Sequence, residues 1–303
     1  MNNSVSLYAA VLESRGYVVG AANAPSGLYR HAAGGAWGHL GWPNLRATSV
    51  AVGDGALFLG AGNGVLRSRD GGLSWRVTTD WRVAEVLDLA LDGTTGGLVA
   101  ATAFGLWRSD DGADTWAPLL SPSSRPDATF TAAVAADRQR AGRLLIATEA
   151  GLFASDGDAW RPVGPRVLVR ALGQSEADAD LWLAGTAGHG VLVSTDGGMT
   201  WSSAAQGATV YAVALDPTDP ARLAAGGLGG DLLVSTDGGA RWHRQPLDHP
   251  VRALHALAFD ARQPGRLWLG TVGDGLLVTD DFGRTCRSAG LPETTVYDFA
   301  YAP

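Results

Sequence analysis

Two aspartates stand where apolar strands give little reason for charge. Asp88 lies in VLDLAL and Asp298 in VYDFAY, and aligning the segments puts both at one position, which Ala133, Ala212 and Ala256 fill elsewhere. Small side chains suit a crowded wall, so two carboxylates there form a candidate acid–base couple of the kind that cleaves glycosidic bonds. The same groups can instead hydrogen-bond to water or to an arginine such as Arg170, and that structural role is the expectation. Glu149 and Asp274, in glycine-rich loops, complete the catalytic candidates. His255 stands one residue before the Ala256 position, so strand alternation turns its side chain to the opposite side. No second histidine follows at a metal-like spacing; neither a metal nor a cofactor is expected.

The elements that must position these groups come from a repeat. SRDGGLSW ends at Trp75, STDGGMTW at Trp201 and STDGGARW at Trp242. SDDGADTW, ending at Trp116, reads as a copy with one inserted residue, and SDGDAW, ending at Trp160, as a shortened one. TDDFGRTC puts Cys286 in the tryptophan position, and HAAGGAW, ending at Trp37, has lost its aspartate. Successive copies are 38, 41, 44, 41, 41 and 44 residues apart, a period that fits one four-stranded propeller blade. Within each period, apolar and β-branched runs alternate with Gly/Asp turns, the signature of hairpins, and no segment keeps a helical period. The expectation is an all-β, seven-bladed β-propeller of four-stranded antiparallel blades, one domain over residues 1–303. VYDFAYAP at the C-terminus aligns with the inner strand VYAVALDP, so the ring is expected to close by pairing of the terminal strands. Leu7 to Leu12 also reads as an inner strand, which leaves one candidate too many and an incomplete eighth blade as the alternative.

The repeated turn resembles the Asp-box (BNR) motif over nearly the whole chain. Its glycines supply positive φ, its aspartate can accept backbone N–H groups, and its tryptophan can bury on the order of 150–250 Å² against the neighbouring blade. Asp70, Asp111, Asp156, Asp196 and Asp237, with Trp75, Trp116, Trp160, Trp201 and Trp242, are therefore read as scaffold. The resemblance places these boxes on the outer rim, away from the usual binding face.

A binding face is expected where the copies differ. Loops between second and third strands contribute Asn23, Asn63, Phe104, Glu149, His189 and Asp274. Loops between blades add Trp42, Trp81, Arg82, Arg125, Asp127, Arg166, Asp248, His249, Arg252 and Glu293.

The composition narrows the partners. Net charge is −7 with a pI near 5.3, which disfavours nucleic acid. All 23 basic residues are arginine, which removes Schiff-base and phosphate-loop lysine chemistry. The single cysteine, Cys286, allows neither an internal disulfide nor a cysteine-based metal site. The N-terminus lacks the pattern of a signal peptide, and no apolar run approaches the roughly 18 residues of a membrane span, so a cytoplasmic, monomeric protein without membrane insertion is expected.

Three groups of Asp-box proteins bear on function. Sialidases are similar through the box, but their Arg-Ile-Pro signature is missing and they usually form six blades. Xyloglucan-degrading glycosidases resemble the chain in repeat style, as in RLWLGTVGDGLLVTDD, yet hold their catalytic aspartates between two propellers, so no residue carries over. Photosystem II assembly factors resemble it in size and imply a binding scaffold. The resulting expectation is a non-catalytic binding or assembly scaffold for a protein or glycan, with a glycosidase-like hydrolase as the alternative.

Overall fold

The inner strand of the sixth blade, Val210–Leu215, alternates buried and half-buried residues, because one of its faces meets a neighbouring blade and the other a central channel. The next two strands, Leu223–Gly227 and Leu232–Ser235, are buried on both faces. The outermost, His243–Gln245, is short and largely exposed. This gradient from channel to rim recurs in seven four-stranded antiparallel sheets, and their inner strands touch in succession to form a closed ring. The computed structural model describes residues 5–14, 26–31, 35–121, 129–157 and 159–302, and every regular element among them is a β-strand.

The apolar core is divided among the blade interfaces. One cluster joins Leu232 and Val234 of the sixth blade to Leu254 and Leu267 of the seventh, and comparable clusters fill the other gaps. Close approach decides the small residues here. A Cβ on Gly226 would lie 2.8 Å from Leu254 Cβ, so glycine lets the next inner strand seat against the second strand.

The question of the terminal strands is settled by order within the first blade, which runs Thr294–Ala302, Ser6–Glu13, Gly27–His31, Trp37–Leu40 from the channel outward. The N-terminal segment is thus a second strand. The C-terminal strand is the inner one, paired antiparallel along all of Ser6–Glu13. There is no eighth blade among the described residues.

The Asp-box turns connect third to outer strands. In the fifth blade Asp196 Oδ1 accepts N–H groups from Met199 and Thr200 at 3.0 and 2.9 Å, and Thr200 Oγ1 donates to Oδ2 at 2.6 Å. Burial alone would raise this carboxyl, but these bonds and one from Ser194 outweigh it and hold it at about 2. Asp111 binds Asp114 N and Thr115 N in the same way, so SDDGADTW carries no inserted residue. Ala113, at φ 70°, stands in the glycine position. The side chain of Asp156 lies outside the description.

The tryptophans staple blade to blade. Trp75, Trp201 and Trp242 donate Nε1–H to a glycine carbonyl of their own turn at 3.1–3.2 Å. Each ring also leans on the preceding blade: a Cβ on Gly41, at φ +74°, would lie 2.1 Å from Trp75 Nε1. Trp37 differs. Its Nε1–H donates to Ala289 O of the seventh blade at 2.9 Å, adding a bond across the ring closure.

Candidate functional site

Every inner strand of the ring carries a β-bulge near its start, seen as a register shift between Ala47 and Ser49, Val86 and Asp88, Thr131 and Ala133, Val169 and Ala171, Val210 and Ala212, and Leu254 and Ala256. The matching irregularity in the first blade lies between Val296 and Asp298. A bulge inserts one residue and breaks the alternation of sides. His255 and Ala256 consequently both line the channel, whereas plain alternation had put His255 on the opposite side. The extra residues Arg170, Tyr211, His255 and Tyr297 form a rail along the channel mouth. The Arg170 guanidinium lies 5.6 Å from the Tyr211 ring centre, and successive ring centres are 5.8 and 4.8 Å apart.

Asp88 and Asp298 occupy the waist of the channel, between a mouth on the variable-loop face and a second cavity that opens on the far side. The hydroxyl of Ser49, the residue at their position in the second blade, lies 3.1 Å from a carboxylate oxygen of each. Asp298 accepts the N–H of Val50 in the next blade at 2.9 Å. Ser49 Oγ accepts that of Leu89, and Asp88 that of Val134. Asp88 and Asp298 each also accept the N–H of the residue that follows them. The three side chains therefore clasp the inner strands of four consecutive blades. Neither aspartate contacts Arg170.

Burial raises both carboxyls above the ordinary aspartate range, and the charge of Asp88 raises Asp298 further. A folded-state pKa above the unfolded one means that the folded protein holds protons the unfolded chain releases, so the pair costs stability as pH rises from about 4 through 7. Asp298→Asn is therefore expected to gain on the wild type by on the order of 1–2 kcal/mol between pH 5 and pH 8. His31 and His255 are held low by burial and contribute the opposite slope, but they are common to both chains and cancel. Urea unfolding of both proteins at the two pH values measures this, and a constant difference would contradict it.

The remaining candidates spread over the loops. Trp81, Trp42 and Phe104 are 87%, 49% and 55% exposed, on neighbouring loops of the first three blades. Arg82 is paired with Asp80 at 2.6 Å. Glu149, His189, Asp274, His249, Arg252 and Asn63 are exposed, and His189 Nδ1 lies 3.2 Å from Ala187 O. Glu293 O accepts the N–H of Ser14. Arg166 and Asp248 turn toward the flank: Arg166 lines a cleft between the fourth and fifth blades, and Asp248 accepts the N–H of Cys286 at 2.9 Å. Asn23, Arg125 and Asp127 lie outside the described residues.

Sequence reasoning missed a second repeated carboxylate. Asp92, Asp137, Asp216 and Asp260 end their inner strands almost fully buried, each accepting the N–H two residues on. An aspartate directly after each of these four inner strands was the available signal, although Ser175 takes that place in the fifth blade. Among the described residues, no group of three His, Cys, Asp or Glu is placed to hold a metal ion, and no helix is long and apolar enough to cross a membrane.

The BNR/Asp-box repeat model matches residues 192–203, and no curated protein sequence matches the chain. Several solved structures share the fold. A GH74 xyloglucanase from Xanthomonas campestris is 22% identical with a TM-score of 0.71, over 90% of this chain and 50% of that one. YCF48 from Cyanidioschyzon merolae is 14% identical with a TM-score of 0.62, over 82% of this chain and 86% of that one. YCF48 bound to D1 peptide is 18% identical with a TM-score of 0.60, over 80% and 81%. The chain spans 38–50% of the GH74 chains that it matches.

Proposed function

Starting from a seven-bladed propeller that carries Asp-box repeats, we propose a non-catalytic binding or assembly scaffold that presents its variable-loop face to a protein or glycan partner. One observation carries this reading: Trp42, Trp81 and Phe104 stand exposed on the loops that join the first blade to the second, the second to the third, and the second to the third strand of the third blade. Exposed aromatic side chains are a costly use of surface unless something covers them, and tryptophan is prominent among residues that anchor interfaces. A solved structure of the same fold, YCF48, is bound to a peptide, which supports the reading by analogy of architecture.

The second reading, a glycosidase-like hydrolase, draws on the raised carboxyls at Asp88 and Asp298. Against it stand their hydrogen bonds. The oxygens that would give and take protons already serve Ser49 and the N–H groups of Val50, Leu89, Val134 and Phe299.

The test compares wild type with a Trp42→Ala, Trp81→Ala, Phe104→Ala variant in affinity capture from the native cell and on a glycan array. The variant is expected to melt within a few degrees of wild type and to bind the captured partner at least about 100-fold more weakly. Equal binding by the variant sinks the proposal. So does hydrolysis of aryl glycosides or polysaccharides that Asp298→Asn abolishes.

A further inference from the structure

The waist of the channel holds seven equivalent positions, one per blade, and they are filled unequally. At three of them Asp298, Ser49 and Asp88 reach across and accept the N–H of Val50, Leu89 and Val134 in the following blade. At the next three positions the side chain is Ala133, Ala171 or Ala212, and the N–H groups at the matching places belong to Leu172, Val213 and Leu257. An alanine offers them no acceptor. One half of the waist thus carries its own carboxylates, while the other half presents successive backbone donors to an open cavity.

Above those donors the wall is rich in further donors and rings. The Arg170 guanidinium lies over the Tyr211 ring, its charge acts on His255, and it has no ion-pair partner among the described residues. Nδ1 of His255 is buried and without a hydrogen-bond partner, while the ring as a whole interacts with its own backbone and with that of Tyr297. The cavity measures about 350 Å³, a size suited to a small molecule. Its own carboxylates are already committed to Ser49 and to backbone N–H groups.

The geometry points to a binding site for a small organic carboxylate in the channel mouth. Its carboxylate takes the place that the Asp88 and Asp298 side chains fill on the other half of the ring, against the N–H groups of Val213 and Leu257. Arg170 closes over the charge, and the carbon body lies along Tyr211, His255 and Tyr297. Charge-assisted bonds to preorganised backbone donors are strong, and a planar guanidinium matches a carboxylate. A hydroxylated ring acid and an aromatic acid share this chemistry. The site is built from the channel wall, so it stands apart from the scaffold reading, which rests on loop aromatics.

Calorimetric titration with succinate, benzoate and glucuronate, each beside its neutral amide, tests the inference. At least one acid is expected to bind with millimolar or tighter affinity and its amide at least tenfold more weakly; which acid binds separates the aromatic from the hydroxylated source. Arg170→Met is expected to weaken that binding tenfold or more. Ala212→Asp places a side-chain carboxylate in the proposed position and is expected to abolish binding with the fold intact by circular dichroism. If that variant does not fold, Ala212→Val, which blocks the position sterically, takes its place. The loop triple variant is expected to bind the acid as wild type does, which keeps the two proposals distinguishable. Failure of all three acids to bind, equal binding of acid and amide, or undiminished binding by both Arg170→Met and the Ala212 variant overturns the inference.

Discussion

A chain truncated after Glu293 is expected to lose the cooperative unfolding transition of the ring. The missing segment contains the inner strand of the first blade, Thr294–Ala302, which pairs along the full length of Ser6–Glu13. Val296 is fully buried between the seventh and first blades, and Phe299 and Tyr301 pack on the same cluster. Asp298 leaves with them, and with it the acceptor for Val50 N and one end of the Ser49 bridge. What remains of the first blade is three strands with an unpaired inner edge, a template for aggregation. Trp37 would still reach Ala289, but one rim bond cannot replace a buried strand. Loss of the near-ultraviolet dichroism of the tryptophans together with the thermal transition is the expected readout. A synthetic peptide of residues 294–303 is expected to restore both when added in excess, because binding to the folded form alone shifts the equilibrium by mass action. A truncated chain that melts as sharply as wild type would contradict the closure described here.

Much of this architecture was legible because a propeller repeats its chemistry. The turns around Asp70, Asp196 and Asp237 show one pattern, and the imperfect copies ending at Trp37, Trp116, Trp160 and Cys286 complete the blade count at the same period. The order of the terminal strands was harder, although a clue was present. LYAAVL is apolar at every position, as suits a strand buried on both faces, whereas VYDFAYA mixes in polar groups, as suits one lining a channel. The bulges were not legible at all. The residues they insert, among them Thr48, Leu87, Arg170 and His255, share no chemistry, because a bulge is set by the pairing of two strands and not by the inserted side chain. Ser49 escaped notice for a related reason. A serine among alanines looks like another small residue until its hydroxyl is seen between two carboxylates.

Trp201→Ala is expected to destabilise the protein by roughly 3–5 kcal/mol, measured by chemical unfolding. The indole lies between the fourth and fifth blades. It packs against the clusters that contain Leu152, Val169 and Leu192 on one side and Leu145 and Trp182 on another, with Gly164 close to its edge. Truncation would leave a cavity that stiff β-sheet cannot collapse to fill, and it would strip Gly198 O of its donor. The seventh blade provides the control within the same molecule. There Cys286 stands in the tryptophan position, its sulfur 3.9 Å from Gly283 O. Leu247 and Phe282 pack on that interface, and Asp248 takes up the N–H of Cys286. Little volume rests on the thiol itself, so Cys286→Ala is expected to cost about 1 kcal/mol or less. Similar losses for the two substitutions would mean that the tryptophan does not staple one blade to the next.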